Sequence, residues 1–280
     1  MMNYSKWNDP KNYARMTAEL AESAISETPI FAAREDEHIE HSFVQHCMTS
    51  VDEIYDLLDD TDIAIIEEIA VAKYLNSLQI YEYITLRGYD VTRQRLRRRI
   101  LKLMKYHVIQ ENEMVSFGFE HGLKYYELDY FGHTFAMESG VVFHMGNRYV
   151  SYSRRKEKGM SDNTPCDVKR ILVGNQIVLN LLMSNTQMQR FGIMETMRAN
   201  NLEQAGEDCM IRTAANVRID EESVLAYEVV RDTPDSYEKL LNKIERYYNL
   251  VNNEEYLASN FHGDTCLLYT SPSPRDVEES

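Results

Sequence analysis

Apolar residues recur every three or four positions between residues 62 and 107, the spacing of helices that bury one face. Polar residues that favour helix N-termini precede each run, and Gly88 stops the second run. Two helices joined by a short turn containing glycine are typical of a helix-turn-helix. The three predicted helices run from Asp62 to about Leu75, from Leu78 to Arg87 and from Arg93 to about His107. The residues expected to cap their N-termini are, in the same order, Asp62, Ser77 and Thr92.

Two segments with strand-like composition follow the third helix, VIQENEMVSFGF and LKYYELDY. Glu120, His121 and Gly122 lie between them and predict a hairpin turn. A helix-turn-helix followed directly by a hairpin is a winged helix, so the pattern predicts a winged-helix DNA-binding domain over residues 51–150. Its closing helix is expected at residues 131–139. Residues 1–50 read as a polar segment without a strong pattern.

A second pattern begins after a polar, charged stretch. Thr164 is expected to cap a helix that Pro165 opens, and the strand-like runs RFGIMETMR, CMIRTAANVRI and SVLAYEVVR come next. The order of helix, three strands and helix predicts an α/β domain over residues 165–265 and an α+β fold for the chain. A final amphipathic helix after Pro234 is expected to bury Leu240, Leu241, Ile244, Tyr247, Tyr248 and Val251.

The last residues require separate treatment. The segment CLLYTSPSPRD resembles one translated frame of a transposase sequencing adapter, so residues 266–280 are interpreted as a sequencing artefact and the natural chain is expected to continue past Thr265. Without them, Cys47, Cys166 and Cys209 remain, with no CxxC pair, and neither a disulfide framework nor a zinc ribbon is expected. No apolar run approaches the roughly 18 residues of a membrane span. We expect a cytoplasmic protein without membrane contact, cofactor or metal.

Charge is distributed unevenly along the chain. The net charge is −15, yet the stretch from Lys73 to Lys105 holds nine basic and two acidic residues, which leaves −22 for the remainder. The third predicted helix places its leucines and isoleucine on one side and its cations on the other. Arginine and glutamine on such a helix can bond guanine and adenine in the major groove. The predicted DNA-binding residues are Arg93, Gln94, Arg95, Arg98, Arg99, Lys102 and Lys105.

Other readings of the same helix stay open. A charged face can simply be solvated, although acidic residues that would form i,i+4 ion pairs are almost missing here. The helix can also belong to a protein-interaction module that binds an acidic partner. The acidic second domain is expected to offer a surface to a homodimer partner or to a replication protein.

Two groups of residues were weighed for chemistry. His38, His41, His46 and Cys47 lie close in sequence, but their spacing and the lack of a second cluster favour a solvated polar segment over a metal site. Glu228 is an acid within an apolar strand, which costs free energy unless something bonds it. Ordinary alternation along the strand, with Glu228 pointing outward, is the favoured interpretation.

Two stretches resemble the replication-relaxation family of plasmids and other mobile elements. The first is RQRLRRRILKLMKY followed by YYELDYFGHTFA, and the second is SVLAYEVVRDTPDSYEKLLNKIERYYNLV. Together they cover roughly residues 60–255. The resemblance implies a DNA-binding protein that acts in replication or its regulation.

The resemblance also implies that the second domain is related to the restriction-endonuclease fold. A competent nuclease of that fold holds a divalent metal with an aspartate on one strand and an acid-x-lysine on the next. Here Thr213 and Ala214 stand in the first position, and Val230 stands in place of the lysine after Glu228. We therefore expect no nuclease activity. The competing interpretation is a metal-dependent nuclease that uses Glu228 with Glu195 or Asp208.

Overall fold

Helices and small, mostly antiparallel sheets combine in an α+β fold. The computed structural model describes residues 36–42, 44, 47, 51–115, 122–141, 164–184, 186–194, 196–198, 210–220, 224–229, 236–252 and 265–267. The helices are α1 (Val51–Leu57), α2 (Asp60–Ala72), α3 (Ser77–Leu86), α4 (Arg93–Lys105), α5 (Tyr130–Glu138), α6 (Pro165–Met183) and α7 (Ser236–Val251). The strands are β1 (His38–His41), β2 (Ile109–Val115), β3 (Leu123–Leu128), β4 (Arg190–Ile193), β5 (Thr196–Arg198), β6 (Met210–Arg212), β7 (Ala215–Arg218), β8 (Val224–Tyr227) and β9 (Thr265–Leu267).

Helix α2 begins earlier than the sequence predicts, and the choice of Asp62 as its cap is wrong. Asp59 caps the helix, because its carboxylate accepts the backbone N–H groups of Thr61 and Asp62. The Asp62 side chain accepts the Asp59 backbone N–H in return, which completes a capping box. The helix ends at Ala72, before the predicted Leu75, and Lys73 turns the chain with a φ of 68°.

The next two helices differ from the prediction by one or two residues. Asn76, not Ser77, caps α3, because its side-chain oxygen accepts the backbone N–H of Gln79. The Gln79 side chain accepts the Asn76 backbone N–H in return, which forms a second capping box. Gly88 follows the helix with a φ of 87°, as a stop signal requires. Thr92 caps α4 as predicted, since its hydroxyl accepts the backbone N–H of Arg95, and the helix ends at Lys105.

Strands β2 and β3 pair antiparallel, as expected of the two arms of a hairpin. Of the predicted turn, Gly122 is described, whereas Glu120 and His121 lie outside the described residues. Leu75, between α2 and α3, adds an antiparallel bridge to Tyr126 of β3. The other edge of the sheet is β1, which pairs antiparallel with β2. A strand over residues 38–41 was not predicted, because the polar sequence HIEH has no apolar alternation.

Helix α5 lies close to the end of α4. A Cβ atom on Gly132 would meet the backbone oxygen of Val108 at 2.1 Å, so no larger residue fits at this contact. Asp129 caps the helix, and Gly140 follows its end with a φ of 69°. The predicted closing helix is confirmed, with its start at Tyr130.

The second half keeps the predicted sequence of helix, strands and helix, but two of the three strand-like runs each contain two strands: β4 and β5 in RFGIMETMR, and β6 and β7 in CMIRTAANVRI. Thr164 caps α6 and Pro165 opens it, as expected. Four strands form a sheet in the order β4-β7-β8-β9, and β5 pairs with β6 in a separate ribbon. Strand β9 pairs in parallel with β8 and includes two residues of the segment interpreted as translated adapter.

Helix α6 contributes to both hydrophobic cores, and its Leu179 belongs to the core of the first half. Its Val168, Ile171 and Leu172 are buried together with Tyr74 and Tyr125 of the first half. The Asn175 amide donates to the backbone oxygens of Ala72 (3.1 Å) and Tyr74 (2.9 Å). Gln79 of α3 donates to the backbone oxygen of Leu172 at 2.7 Å.

The apolar face predicted for α7 is only partly correct. Tyr247 and Leu250 are buried, as predicted for Tyr247. Leu241, Ile244 and Tyr248 are exposed instead, so their assignment to the core is wrong. The reason is that Lys243 and Tyr247 face Glu228 and the end of β6, which leaves Leu241, Ile244 and Tyr248 toward solvent.

Candidate nucleic-acid interface

Helix α4 has the two faces that its sequence predicts. Its apolar side is buried and packs into the hydrophobic core that it forms with α2 and α3; the residues are Leu96, Ile100, Leu103 and Met104. His107, just beyond the helix, is half-buried and bonds the Asp129 carboxylate at 2.9 Å. The polar side of the helix is therefore fixed in direction, because the apolar side is fully engaged.

Five of the seven predicted DNA-binding residues are exposed along this polar side: Arg93, Gln94, Arg95, Arg98 and Lys105. Arg93 lies over the ring of Tyr81, 5.2 Å from its centroid, which orients the guanidinium. Within the described residues, Arg95, Arg98 and Lys105 form no ion pair. Their charges are therefore available to an external anion.

Arg99 and Lys102 are placed differently from the other five. Arg99 donates to Asp62 at 3.0 Å and also to Asp59, and Lys102 donates to Asp62 at 2.7 Å and to the backbone oxygen of Leu57. The Asp62 side chain is completely buried. Partial burial opposes ionisation of Asp59, but the bond from Arg99 holds the pKa of its carboxyl below the usual value. These two cations connect α4 to the start of α2.

A cleft of about 730 Å³ opens beside α4, between α3, α4 and the first sheet. Arg93, Arg97 and Lys124 line it against a single carboxylate, Glu111. Burial opposes ionisation of Glu111, but bonds from Lys124, Tyr126 and Ser42 lower its pKa. The cleft thus carries net positive charge on the hairpin side of α4.

Sequence reasoning missed Arg97, Leu101 and Lys124. Arg97 and Leu101 are exposed on α4, and their positions between the predicted readers could have shown them on a helical wheel. Lys124 lies on β3, 19 residues beyond the helix. Nothing in local sequence places it beside Arg97, because that proximity depends on how the hairpin folds back.

Glu228 does not point outward, so the favoured interpretation of this residue is wrong. Its side chain is only 6 % exposed, just beyond the end of β8. It accepts from Tyr247 at 2.6 Å, from Arg170 at 3.3 Å and from Lys243. Burial lowers the pKa of Lys243, and the neighbouring Glu228 opposes that shift. The acid is buried because α6 and α7 supply three donors.

The described part of this neighbourhood offers no metal ligand set. Thr213 and Ala214, which stand where a nuclease would carry its aspartate, are both buried. Across the described residues, no group of three or more histidine, cysteine or acidic side chains converges on one point. Glu195, Asp208 and Val230 lie outside the described residues.

The described histidines of the N-terminal cluster are engaged by other groups. His41 bonds the Asn112 amide oxygen at 2.6 Å. His38 bonds Glu40 at 3.2 Å and the backbone oxygen of Asp36 at 3.1 Å. His46 lies outside the described residues. These contacts give both histidines a role in the sheet edge formed by β1.

None of the described helices combines the length and the apolar character needed to cross a bilayer. No protein-family model, curated protein or solved structure matches the chain. The resemblance to the replication-relaxation family therefore stays a prediction, and the function is argued from the geometry of α4 and its surroundings.

Proposed function

We propose that the chain is a winged-helix protein that binds double-stranded DNA with the exposed face of α4. The observation that carries the proposal is the set of exposed cations on this helix, with Arg95, Arg98 and Lys105 outside any ion pair of the described residues. DNA presents a dense row of phosphates, and neutralising them releases counterions. An otherwise acidic chain gains nothing in solubility from concentrating cations on one helix.

The order of elements supports a winged helix. Helices α2, α3 and α4 come directly before the β2–β3 hairpin, and the Leu75 bridge to β3 would correspond to the short first strand of such a domain. In a helix-turn-helix, the helix that enters the major groove is the second of the pair, which here is α4 after α3. The hairpin would lie beside it and contact the neighbouring backbone.

The individual roles follow from position along α4. Gln94 and Arg95 lie in its first turn, where recognition helices contact base edges. Lys105 lies in the last turn and would contact phosphate, which positions the helix without reading sequence. Arg99 and Lys102 would hold α4 in place through Asp62. Arg97 and Lys124 would face the phosphates that pass along the cleft.

The wider setting follows from the resemblance. We propose that the protein acts for a plasmid or other mobile element, in replication or its regulation. The acidic second half would then serve as the surface for a second copy or for a replication protein. A cytoplasmic location fits this role.

The test is a titration of fluorescent duplex DNA at several salt concentrations. Affinity should fall with salt by a slope of about 0.9 per neutralised phosphate. Replacing Arg95 and Arg98 together by alanine should lower affinity and relax the sequence preference, whereas Lys105→Ala should reduce the slope by about 0.9. The matched control replaces Arg190 and Arg246, two exposed arginines of the second half, and should change none of these quantities. Equal behaviour of the two double variants would refute the proposal.

Two alternatives give different results in related assays. A module for acidic protein partners would bind polyglutamate as tightly as duplex DNA of equal charge, without sequence preference. A nuclease would nick plasmid with magnesium or manganese and lose that activity in Glu228→Ala. We expect neither outcome, because Glu228 is already engaged by two cations and a tyrosine.

A further inference from the structure

Leu101 is the exception among the apolar residues of α4. Its four apolar neighbours on the helix are at most 4 % exposed, whereas Leu101 is 47 % exposed. A single exposed leucine is common on protein surfaces and needs no explanation by itself. Its position among the exposed cations of α4 does call for an explanation.

Leu101 completes a straight row on the exposed side of α4. Gln94, Arg98, Leu101 and Lys105 follow one another at intervals of four, three and four residues, so they lie within roughly 60° of one another on a helix of 3.6 residues per turn. All four side chains are exposed. At a rise of 1.5 Å per residue, Leu101 lies about 4.5 Å from Arg98 and about 10.5 Å from Gln94 along the axis.

The axial distances from Leu101 to Arg98 and to Gln94 correspond to about one and about three base-pair steps of 3.4 Å. If α4 lies in the major groove, Leu101 faces a base roughly one step from that facing Arg98 and roughly three steps from that facing Gln94. Lys105 follows at the end of the row, where the helix approaches the phosphates.

The chemistry of the groove decides what an exposed leucine can contact. Base edges in the major groove present hydrogen-bond donors and acceptors, and the only apolar group among them is the 5-methyl of thymine. A leucine placed against any other edge would remove polar atoms from water without bonding them. A thymine methyl offers a contact that buries apolar surface on both sides.

We propose that Leu101 selects thymine in the bound DNA by packing against its 5-methyl group, next to the base that Arg98 contacts. This inference rests on the proposed function, because it requires α4 to enter the major groove. It adds a specificity-determining residue to a helix whose other exposed residues are mostly charged. The bound site should therefore contain a thymine adjacent to a guanine.

The experiment starts with selection of bound duplexes from a randomised pool by the full chain. Each thymine of the selected site is then replaced singly by deoxyuridine, which lacks only the methyl group. Affinities are measured by fluorescence anisotropy at constant salt, for the wild type and for Leu101→Ala. Leu241→Ala is the matched control, because Leu241 is as exposed as Leu101, at 47 %, and lies on α7 in the second half of the chain.

At one position, deoxyuridine should weaken wild-type binding about fourfold, which corresponds to ~0.8 kcal/mol for one buried methyl-sized group. The same substitution should have no effect on Leu101→Ala, and Leu241→Ala should keep the fourfold ratio. If specific binding occurs but no thymine is sensitive, or if the sensitivity survives in Leu101→Ala, this inference is overturned while the proposed function stands. Failure of the wild type to bind any duplex would overturn both the inference about Leu101 and the proposed function.

Discussion

Replacing Asp62 by asparagine should lower the stability of the protein but strengthen its binding to DNA. The buried Asp62 carboxylate accepts from Arg99 and Lys102, which connects α2 to α4. Removing one partner of a buried ion pair costs about 3–5 kcal/mol. Arg99 and Lys102 retain 28 % and 32 % exposure and can turn toward water, so about 2 kcal/mol is the expected loss. The melting temperature should then fall by roughly 4–8 °C.

The same substitution should strengthen the electrostatic part of DNA binding. Lys102, whose carboxylate partner is Asp62, becomes available to phosphates, whereas Arg99 keeps its bond to Asp59. Each added contact steepens the salt dependence by about 0.9, so the slope should increase by about that amount. Urea unfolding measures the first effect, and the anisotropy titration at several salt concentrations measures the second.

Asp59→Asn is the control for this prediction. Asp59 is half-exposed and contacts only Arg99 of the two cations, so its loss should cost less than about 1 kcal/mol and leave Lys102 on Asp62. An unchanged salt slope in Asp62→Asn, combined with the expected loss of stability, would show that Lys102 faces away from bound DNA. Unchanged stability would refute the ion-pair argument itself.

Three further predictions concern the remainder of the fold. Glu228→Gln should lower the free energy of unfolding by about 2 kcal/mol in urea titrations, because Lys243 loses its buried counter-ion. Burial raises the pKa of Glu68 to about 7, so the wild type should lose stability as pH rises from about 4.5 to 7. Glu68→Gln should remove that loss in melting curves recorded across this range. Gly132→Ala should destabilise by about 1–3 kcal/mol, because its methyl group would overlap the Val108 backbone oxygen, and calorimetry measures the change.

The parts predicted correctly are those that local spacing determines. The faces of α4 follow from a 3.6-residue period, and Thr92 is the only good capping residue at its start. The start of α2 was misassigned because Asp59, Asp60 and Asp62 are all capping residues by type. Only the reciprocal bonds between Asp59 and Asp62 distinguish them.

Contacts between distant residues could not be predicted in the same way. Arg99 and Asp62 are separated by 37 residues, and their pairing depends on the crossing of two helices. Glu228 lies just beyond β8, and alternation along that strand says nothing about the two helices, α6 and α7, that supply its hydrogen-bond donors. One signal was present in the sequence: Lys243 and Tyr247 are spaced by one helical turn, which places both on the side that meets Glu228.

The hydrogen bonds from Asn175 indicate that the first half of the chain needs α6 in order to fold stably. Its amide occupies two backbone oxygens at the end of α2, and these would be left buried or newly hydrated if α6 were removed. Tyr74, Met114 and Tyr125 would lose their apolar neighbours at the same time. The three-helix and hairpin unit is therefore not autonomous, and a fragment ending at residue 141 should aggregate or unfold more readily than the whole chain. Because α6 bonds both α3 and the end of α2, the two halves should unfold together in one transition.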